Sequence, residues 1–319
     1  MTTSTGRLRL ATRGSPLAVW QARRVIALLA GMGVEAEIVV IDTEGDRRTD
    51  VPLARLGGQG VFVKEVQVAV ARGDADAAVH SAKDLPASEE LAAPGLVLAA
   101  FPERGDPRDV LVGAHLDDLA TGATVATGSA RRRVQLANLR PDLTFADLRG
   151  NLATRLARVG ADGITAVVAA RAALDRLAWA PPEGLATETL GRDDMVPQVA
   201  QGALAVECRA GDTATREALA AIDDGAVRRV VEAERAFLAE LGGGCTLPVG
   251  AHAVAVADGS VDGRDGDLEL TGMLAGADGH VVLRHTRRGA DGPTLGRAVA
   301  RYLLDDAGGS DLGPWRPES

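Results

Sequence analysis

Residues 8–41 read LRLATRGSPLAVWQARRVIALLAGMGVEAEIVVI, and this stretch decides the fold class. Leucines and arginines alternate over 7–10, which predicts a short strand. Ser15 and Pro16 then fit a helix N-cap and a first helical position, and an apolar periodicity continues until two glycines end it. The apolar segment 34–41 predicts the next strand. A strand, a helix and a strand in this order indicate an α/β sheet.

The rest of the chain extends this pattern. A second α/β unit is predicted from about residue 106, with helices near 130–139, 151–160 and 170–178 alternating with strands. From about residue 225 the pattern changes to alternating strands of the antiparallel kind, followed by a helix over 294–304, which predicts a smaller α+β domain. A chain of 319 residues has room for about two or three domains.

Composition excludes several classes of protein. Lys and Arg total 35 against 44 Asp and Glu, and a net charge of −9 disfavours nonspecific nucleic-acid binding. Aromatic residues make up 3%, which argues against a surface on which bases stack. The 2 cysteines exclude a disulfide scaffold and a four-cysteine zinc site, and the 5 histidines lack metal-ligand spacing. We therefore predict no metal and no nucleic acid.

No segment of the sequence is predicted to cross a membrane. The longest apolar stretch, 91–101, is too short and contains Pro94 and Gly95. The first ten residues, MTTSTGRLRL, lack the apolar core of a signal peptide. The expected location is therefore the cytoplasm.

Six arginines lie near predicted strand ends or helix starts, often beside hydroxyl or amide side chains. Guanidinium groups bind carboxylates or phosphates through paired hydrogen bonds, and helix N-termini add backbone N–H donors. The pattern predicts a cleft for a small polyanion, although solvated charges on helix faces fit the same spacing. The six are Arg13, Arg131, Arg132, Arg133, Arg149 and Arg155.

Asp84 follows a buried strand predicted at 75–79 and stands next to Lys83. Open α/β sheets bind ligands at the carboxyl ends of their strands. A carboxylate there can stabilise a developing cation or transfer a proton. A helix-capping or ion-paired aspartate is the alternative.

Cys245 lies in the glycine-rich segment LGGGCTLP at 241–248. Bare backbone leaves a thiol approachable, which favours covalent attachment or nucleophilic chemistry. A buried, inert thiol is typical of Cys208 instead, because that residue ends the apolar run 203–208. A long loop is predicted at 42–60.

A set of short motifs resembles the porphobilinogen deaminase family, also called hydroxymethylbilane synthases. The motifs occur in the family's order from residue 7 to about 250, and the final seventy residues match weakly. They are ATRGSPLA (11–18), PLA (52–54), FVKE (62–65), AVHSAKDLP (78–86), DPRD (106–109), GSARR (128–132), LRGNLATR (148–155), QGA (201–203), ER (234–235) and GGC (243–245).

The resemblance implies an α/β fold of three domains. The first two would resemble periplasmic-binding-protein-like (type II) α/β lobes, and the third would be a small α+β domain with an antiparallel sheet. Domain 1 would comprise 1–101 plus about 197–220, and domain 2 would comprise 105–195. Domain 3 would comprise 225–319 and carry the cysteine loop.

The resemblance also implies a reaction. A dipyrromethane cofactor would be attached to Cys245 through a thioether. Four molecules of porphobilinogen would each lose ammonia and be joined to this primer in turn, and hydrolysis would release linear hydroxymethylbilane for tetrapyrrole (haem) biosynthesis. Asp84 would be the catalytic residue, stabilising the cationic azafulvene that forms when the substrate loses its amino group.

Each pyrrole carries an acetate and a propionate, so the family's arginines and hydroxyl groups bind carboxylates. By the resemblance, the cofactor would be held by Lys83, Ser129, Arg131 and Arg132. The substrate would be held by Arg13, Ser15, Phe62, Arg149, Arg155 and Arg176. The family further implies a monomer that passes its product to the next enzyme of tetrapyrrole synthesis.

The sequence departs from the family pattern at several positions. Glu44 stands where many members have Arg, and Arg55 and Gln59 each replace a frequent Lys. Gly128 replaces a common Ser, and Ala200 a common Gly. These changes alter loop charge and contacts to the primer, but they leave the catalytic aspartate and the attachment cysteine in place.

Two other functions are compatible with the residues themselves. A two-lobed anion-binding module without chemistry would bind its ligand reversibly and would not need Cys245. A cysteine hydrolase would pair Cys245 with His252 or His80, although nothing in the sequence fixes that geometry.

Overall fold

The computed structural model describes residues 7–43, 63–88, 92–242, 247–256 and 266–313. The chain divides into two compact units. Unit 1 is Met1–Arg104 with Ala203–Arg228, and unit 2 is Gly105–Gly202 with Arg229–Ser319.

The described strands are β1 Leu8–Arg13, β2 Ala36–Ile41, β3 Ala77–Ser81, β4 Leu96–Ala100, β5 Asp109–Val112, β6 Thr124–Ala126, β7 Thr144–Ala146, β8 Ile164–Ala170, β9 Thr187–Thr189, β10 Leu204–Arg209, β11 Val249–Ala255, β12 Leu268–Ala275 and β13 Val282–Gly289. The described α-helices are α1 Pro16–Gly31, α2 Lys64–Arg72, α3 Ala130–Leu139, α4 Leu152–Leu156, α5 Arg171–Arg176, α6 Thr213–Ala220, α7 Gly225–Glu240 and α8 Gly292–Arg301.

Unit 1 is a five-stranded sheet in the order β2-β1-β3-β10-β4, with a helix on each face. β1 pairs in parallel with both β2 and β3, whereas β10 is antiparallel to its two neighbours. Side chains of a strand alternate between faces. Leu10 therefore packs into the cluster that contains Val25 of α1, and Ala11 packs into the cluster that contains Val66 of α2. Burial of both faces explains the apolar runs in these strands.

Unit 2 contains a second five-stranded sheet and a smaller antiparallel one. The larger sheet has the order β7-β6-β8-β5-β9, in which β6, β7 and β8 are parallel and β5 runs antiparallel to β8 and β9. The smaller sheet has the order β11-β12-β13, with α7 and α8 packed on it through Phe237 and Val299, which crowd the backbone of Gly272. The two α/β sheets and the antiparallel third sheet confirm the predicted fold class.

Capping residues and apolar periodicity predicted most of the helices and strands correctly. Ser15 caps α1, since its hydroxyl accepts a hydrogen bond from the Ala18 amide, and Pro16 is the first helical residue. The helix predicted over 151–160 is shorter, because after Leu156 the backbone tightens into three-residue turns that end at Gly160. No helix among the described residues combines the length and hydropathy needed to cross a bilayer.

The segment 200–202 requires unusual backbone angles. Ala200 has φ 59° and Gly202 has φ 86°, both in the left-handed region. A buried glutamate fixes this turn: the Glu234 Oε2 accepts from the Ala200 amide at 2.7 Å, and its Oε1 accepts from the Ala253 amide at 2.8 Å. At Gly202 an added Cβ would overlap the carbonyl oxygen of Gly105.

We expect Gly202→Ala to lower the free energy of unfolding by roughly 3 kcal/mol, because left-handed strain and overpacking act together. Gly184→Ala is the matched control, since Gly184 has φ 79° with no neighbouring atom within 4 Å of an added Cβ. The control should cost only about 1 kcal/mol, the conformational part. Urea unfolding of both variants measures the difference, and equal losses would contradict the steric argument.

Candidate functional site

The carboxyl edge of the unit 1 sheet gathers four of the predicted site residues. β1 and β3 are parallel neighbours, so their carboxyl ends meet at one edge. Arg13 ends β1, Ser15 caps the helix that follows, and Lys83 and Asp84 lie in a 3₁₀ turn directly after β3. All four side chains are half-buried. The edge therefore presents two cations, a hydroxyl and a carboxylate.

Asp84 is held by its backbone while its carboxylate stays available. The Ala82 amide donates to the Ala203 carbonyl at 2.9 Å, and the Leu85 amide closes the turn onto the Ala82 carbonyl at 3.3 Å. Among the described residues, the Asp84 carboxylate has no hydrogen-bond or ion-pair partner. A half-buried, unpaired carboxylate on a fixed turn is suited to bind a ligand's N–H group or cation.

His80 is buried inside unit 1 and faces a carboxylate. Its Nε2 lies 3.1 Å from Glu207 Oε2, and the same oxygen accepts a hydrogen bond from the side-chain Nε2 of Gln67 at 2.9 Å. Only 4% of the His80 side chain is exposed. A buried imidazole facing a carboxylate does not provide the accessible base that a hydrolase pairing Cys245 with His80 requires.

The carboxyl edge of the larger unit 2 sheet gathers most of the others. Ser129 caps α3 after β6, and its hydroxyl oxygen accepts from the Arg132 amide at 3.5 Å. Arg149 follows β7, is exposed, and precedes the Asn151 cap of α4. The half-buried Arg155 donates from Nε to the Gly150 carbonyl at 2.8 Å. These elements follow parallel strands, so they share one edge.

A buried ionic cluster lies at this edge. Asp109 begins β5 opposite Ala170, the last residue of β8, and is 0% exposed. Its Oδ2 accepts from Arg131 Nη2 at 2.8 Å. Its Oδ1 accepts three hydrogen bonds: from Arg132 Nη2 at 2.7 Å, from Arg132 Nε at 3.1 Å and from the side-chain Nε2 of Gln201 at 2.9 Å. One carboxylate thus holds both arginines of the GSARR motif.

The second contacts of these arginines go to backbone carbonyls. Arg131 Nη1 donates to the Val196 carbonyl at 2.7 Å, and Arg132 Nη1 donates to the Val168 carbonyl at 2.9 Å. Arg131 Nε is buried and has no hydrogen-bond partner among the described residues. Such an orphaned donor is costly unless a ligand or water accepts from it.

Arg131 also lines a small pocket at this edge, together with Ser129, Gln198 and Leu247. Leu247 is the second residue after Cys245 in the sequence. Cys245 and Phe62 themselves lie outside the described residues. The pocket offers a hydroxyl, a buried guanidinium donor and apolar walls, a donor set that fits a ligand carrying carboxylates.

The cluster lowers the pKa of the Asp109 carboxyl. Burial acts to raise the pKa of its carboxyl, but the charges of Arg131 and Arg132 and the Gln201 hydrogen bond outweigh burial and lower the pKa to about 2, from an ordinary 3.8. Burial lowers the pKa of Arg131, against the raising effect of Asp109. The carboxylate is therefore ionised at any physiological pH.

Because the pKa of Asp109 is lowered on folding, its contribution to stability is present above about pH 4 and is lost as the pH falls toward 2. The expected loss is on the order of 2 kcal/mol. The double variant Asp109→Asn/Arg132→Gln removes one charge of each sign and should lack this component. Urea unfolding from pH 5 to pH 2 tests this, and equal acid sensitivity of the two proteins would refute it.

Arg176 has a different environment from the other predicted substrate residues. It is buried at the end of α5, and its Nη2 donates to the Gly202 carbonyl at 2.6 Å. The structure therefore gives it a contact that supports the 200–202 turn. Its predicted contact with substrate stays a prediction.

Asp109, Gln201 and Glu234 have no role predicted from the sequence. Asp109 stands in DPRD, Gln201 in QGA and Glu234 in ER, so all three lie in motifs that carried the family resemblance. The available signal for Asp109 was a charged residue directly before the apolar run Val-Leu-Val. Its partners are remote in sequence and become visible only in the fold.

The strand ends of each α/β sheet therefore carry guanidinium and hydroxyl groups, the kind of groups that bind anions, and this defines the class of protein. Residues 8–217 match the family model "Porphobilinogen deaminase, dipyromethane cofactor binding domain", and residues 229–305 match "Porphobilinogen deaminase, C-terminal domain". The chain belongs to the porphobilinogen deaminase family.

Curated relatives agree with the family models. A porphobilinogen deaminase of Syntrophus aciditrophicus is 48% identical over 251 residues, which cover 77% of this chain and 80% of that protein. One from Shouchella clausii is 41% identical over 316 residues, covering 97% of each chain. The second alignment includes the C-terminal region, where the motif resemblance was weak.

Solved structures similar to this chain include transporter binding proteins. A periplasmic substrate-binding protein of an ABC transporter from Coxiella burnetii has a TM-score of 0.41 at 16% identity, covering 69% of this chain and 94% of that chain. An amino-acid ABC transporter substrate-binding protein from Streptococcus pneumoniae has a TM-score of 0.38 at 14% identity, covering 73% and 95%. Likeness at this level supports no conclusion about ligand or activity.

The family's cofactor is dipyrromethane, and the described residues fit it. Arg131 Nε is a buried donor in need of an acceptor, Ser129 lies beside it, and the two arginines with Asp109 carry one net positive charge. Such a site suits a carboxylate of the cofactor. Cys208 is 0% exposed within β10, so it is no candidate for attachment.

Proposed function

We propose that this chain is a hydroxymethylbilane synthase: it condenses four porphobilinogen molecules, with loss of ammonia, on a dipyrromethane cofactor and releases linear hydroxymethylbilane by hydrolysis. The observation that carries the proposal is the buried, partly unpartnered guanidinium of Arg131 in a pocket lined by Leu247, two residues past Cys245. A cysteine-linked ligand bearing carboxylates satisfies both features.

The unit 2 residues would hold the cofactor. Arg131, Arg132 and Ser129 would bind its carboxylates, and Cys245 would form the thioether; Lys83 stays a cofactor residue by the family resemblance alone. When bound, the cofactor supplies the free pyrrole carbon to which substrate is added. The protein's part is to fix the carboxylates, because held anions orient the rings that carry them.

Asp84 would carry the electrostatic part of catalysis. Loss of ammonia from porphobilinogen leaves a cation conjugated with the pyrrole N–H. A fixed, partly desolvated carboxylate stabilises that charge more than water does, since it needs no reorganisation as the charge develops. The carboxylate has no competing partner among the described residues, which supports this role.

The experiment that tests the function is the intact mass of the purified, denatured protein, with peptide mapping. We expect a covalent excess of two linked pyrrole units on the peptide containing Cys245, and release of ammonia when porphobilinogen is added. If the protein is unmodified, it is incubated with porphobilinogen or preformed hydroxymethylbilane. An apoenzyme gains the adduct, whereas an anion-binding module binds reversibly and gains none.

Arg13, Ser15, Phe62, Arg149, Arg155 and Arg176 are the proposed substrate residues. We expect Arg149→Ala or Arg155→Ala to lower kcat/KM by about 10- to 100-fold, or to stall elongation at a partial chain, because each removes a charged hydrogen-bond donor. Arg158→Ala is the control, because Arg158 is an arginine of the same segment that is not a predicted substrate residue and pairs with Asp162 at 2.9 Å. Mass spectra of enzyme-bound chains show stalling, and wild-type rates without stalled species would contradict the assignment.

We further propose a cytoplasmic monomer of three domains, 1–101 plus about 197–220, 105–195 and 225–319, that passes its product to the next enzyme of the pathway. The family resemblance supports this arrangement. Light scattering of the eluted protein measures the oligomeric state, and limited proteolysis measures the boundaries. A dimer mass, or cleavage confined to the interior of these ranges, would contradict it.

A further inference from the structure

We propose that Asp109 is a positioning residue for the cofactor: it fixes the guanidiniums of Arg131 and Arg132 in one arrangement and leaves them with a single net positive charge for the ligand. This inference rests on the proposed function. Asp109 itself is not expected to touch cofactor or substrate, because its oxygens are already engaged within unit 2.

The geometry of the carboxylate supports this role. Four N–H donors from three side chains converge on its two oxygens at 2.7–3.1 Å. Asp109 is fully buried and begins a strand paired on both sides, so its backbone is fixed as well. A carboxylate held in this way has one orientation, and it transmits that orientation to both arginines.

These contacts fix the direction in which the Arg131 guanidinium points its free N–H bond. Its Nη2 is held by Asp109 and its Nη1 by the Val196 carbonyl, which leaves Nε as the buried donor without a partner. A guanidinium is planar, so fixing its two terminal nitrogens fixes the Nε–H direction. The ligand then meets a donor that is already oriented, which removes the cost of ordering a long side chain on binding.

Asp109 also sets the net charge of the site. Two buried guanidiniums without a counterion would repel each other and resist burial. With Asp109 they carry one net positive charge, enough to attract a carboxylate but not so much that unit 2 becomes unstable while the site is empty. Asp109 thereby lets the apoprotein fold with its cofactor site formed.

The test compares how fast apoprotein, produced in cells that lack porphobilinogen, acquires the covalent adduct when preformed hydroxymethylbilane is added. Intact mass follows the adduct, and circular dichroism confirms that each variant is folded. We expect Asp109→Asn to gain the adduct at least tenfold more slowly than the wild type. Asp76→Asn is the matched control, because Asp76 also lies between two arginines, Arg9 at 2.8 Å and Arg209 at 3.5 Å, but in unit 1.

A loading rate of Asp109→Asn within twofold of the wild type would overturn the inference, and so would an equal slowing in Asp76→Asn. If Asp109→Asn fails to fold, the variant Asp109→Asn/Arg132→Gln restores one net charge and is expected to fold but to load more slowly than Arg132→Gln alone, which lacks the same contact to the cofactor. Failure of that double variant to fold, or loading at the rate of Arg132→Gln, would also overturn it. Absence of the adduct in the wild type would reject the proposed function itself.

Discussion

Asp84→Asn is expected to lower kcat for porphobilinogen consumption by about 10²- to 10³-fold, the usual effect of removing one preorganised electrostatic group from an active site. The amide is nearly isosteric but carries no charge, so it does not stabilise the substrate cation. Because the Asp84 carboxylate has no partner among the described residues, its replacement breaks no internal ion pair there. Stability and the covalent cofactor should therefore be retained.

Asp74→Asn is the control for this change. Asp74 is an exposed carboxylate of the same unit, and its side chain accepts no hydrogen bond from a described residue. We expect its activity to stay within twofold of the wild type. Single-turnover assays with cofactor-loaded protein separate the chemical step from binding. Near-normal single-turnover rates in Asp84→Asn would reject the electrostatic role, and loss of the cofactor would assign Asp84 to binding instead.

The sequence predicted those parts of the fold that depend on local patterns. The N-cap at Ser15, the helix over 130–139 and the strands of the antiparallel sheet follow from capping and periodicity, which neighbouring residues determine. β4, β9 and β10 were not assigned as strands. β9 reads Thr-Glu-Thr and has no apolar residue to mark it, and β4 and β10 lie in apolar runs that periodicity alone does not assign to a strand or a helix.

In the candidate site, too, the features set by local patterns were predicted, and those set by long-range contacts were not. Asp84 and the Arg-rich motifs were found because a polar cluster after a buried strand is a local signal. The hydrogen bonds from Arg131 and Arg132 to Asp109 join residues more than twenty positions apart in the sequence. The hydrogen bond between Glu234 and Ala200 joins residues 34 positions apart. Such long-range hydrogen bonds arise from topology, since β5 begins where β8 ends. No spacing rule along the chain encodes them.

The structure shows the surroundings of two residues that depart from the family pattern, Gly128 and Ala200. Gly128 precedes the cap of α3, and an added Cβ would lie 2.7 Å from the Leu148 carbonyl oxygen. The glycine therefore lets the 148–150 turn, which precedes α4, approach α3 closely. Ala200 adopts a conformation that favours glycine, at a cost of about 1 kcal/mol. Glu44, Arg55 and Gln59 lie outside the described residues.

Cys245→Ala is expected to abolish the covalent adduct entirely, and with it all product formation, because a methyl group has no sulfur to form the thioether. The variant should still fold, since the change removes a single sulfur atom from a glycine-rich sequence. Intact mass after incubation with porphobilinogen measures the adduct directly. Activity assays at the same protein concentration then measure the loss of hydroxymethylbilane.

Cys208→Ala provides the matched control for a cysteine replacement in this chain. Cys208 is fully buried in the core of unit 1, and burial raises the pKa of its thiol, which keeps it protonated and unreactive. Its replacement should cost about 1 kcal/mol of stability from a small cavity while leaving the adduct intact. The opposite result, an adduct that survives in Cys245→Ala and vanishes in Cys208→Ala, would move the attachment site into β10 and require that strand to open. The pairing of the two variants therefore decides the attachment residue without reference to activity.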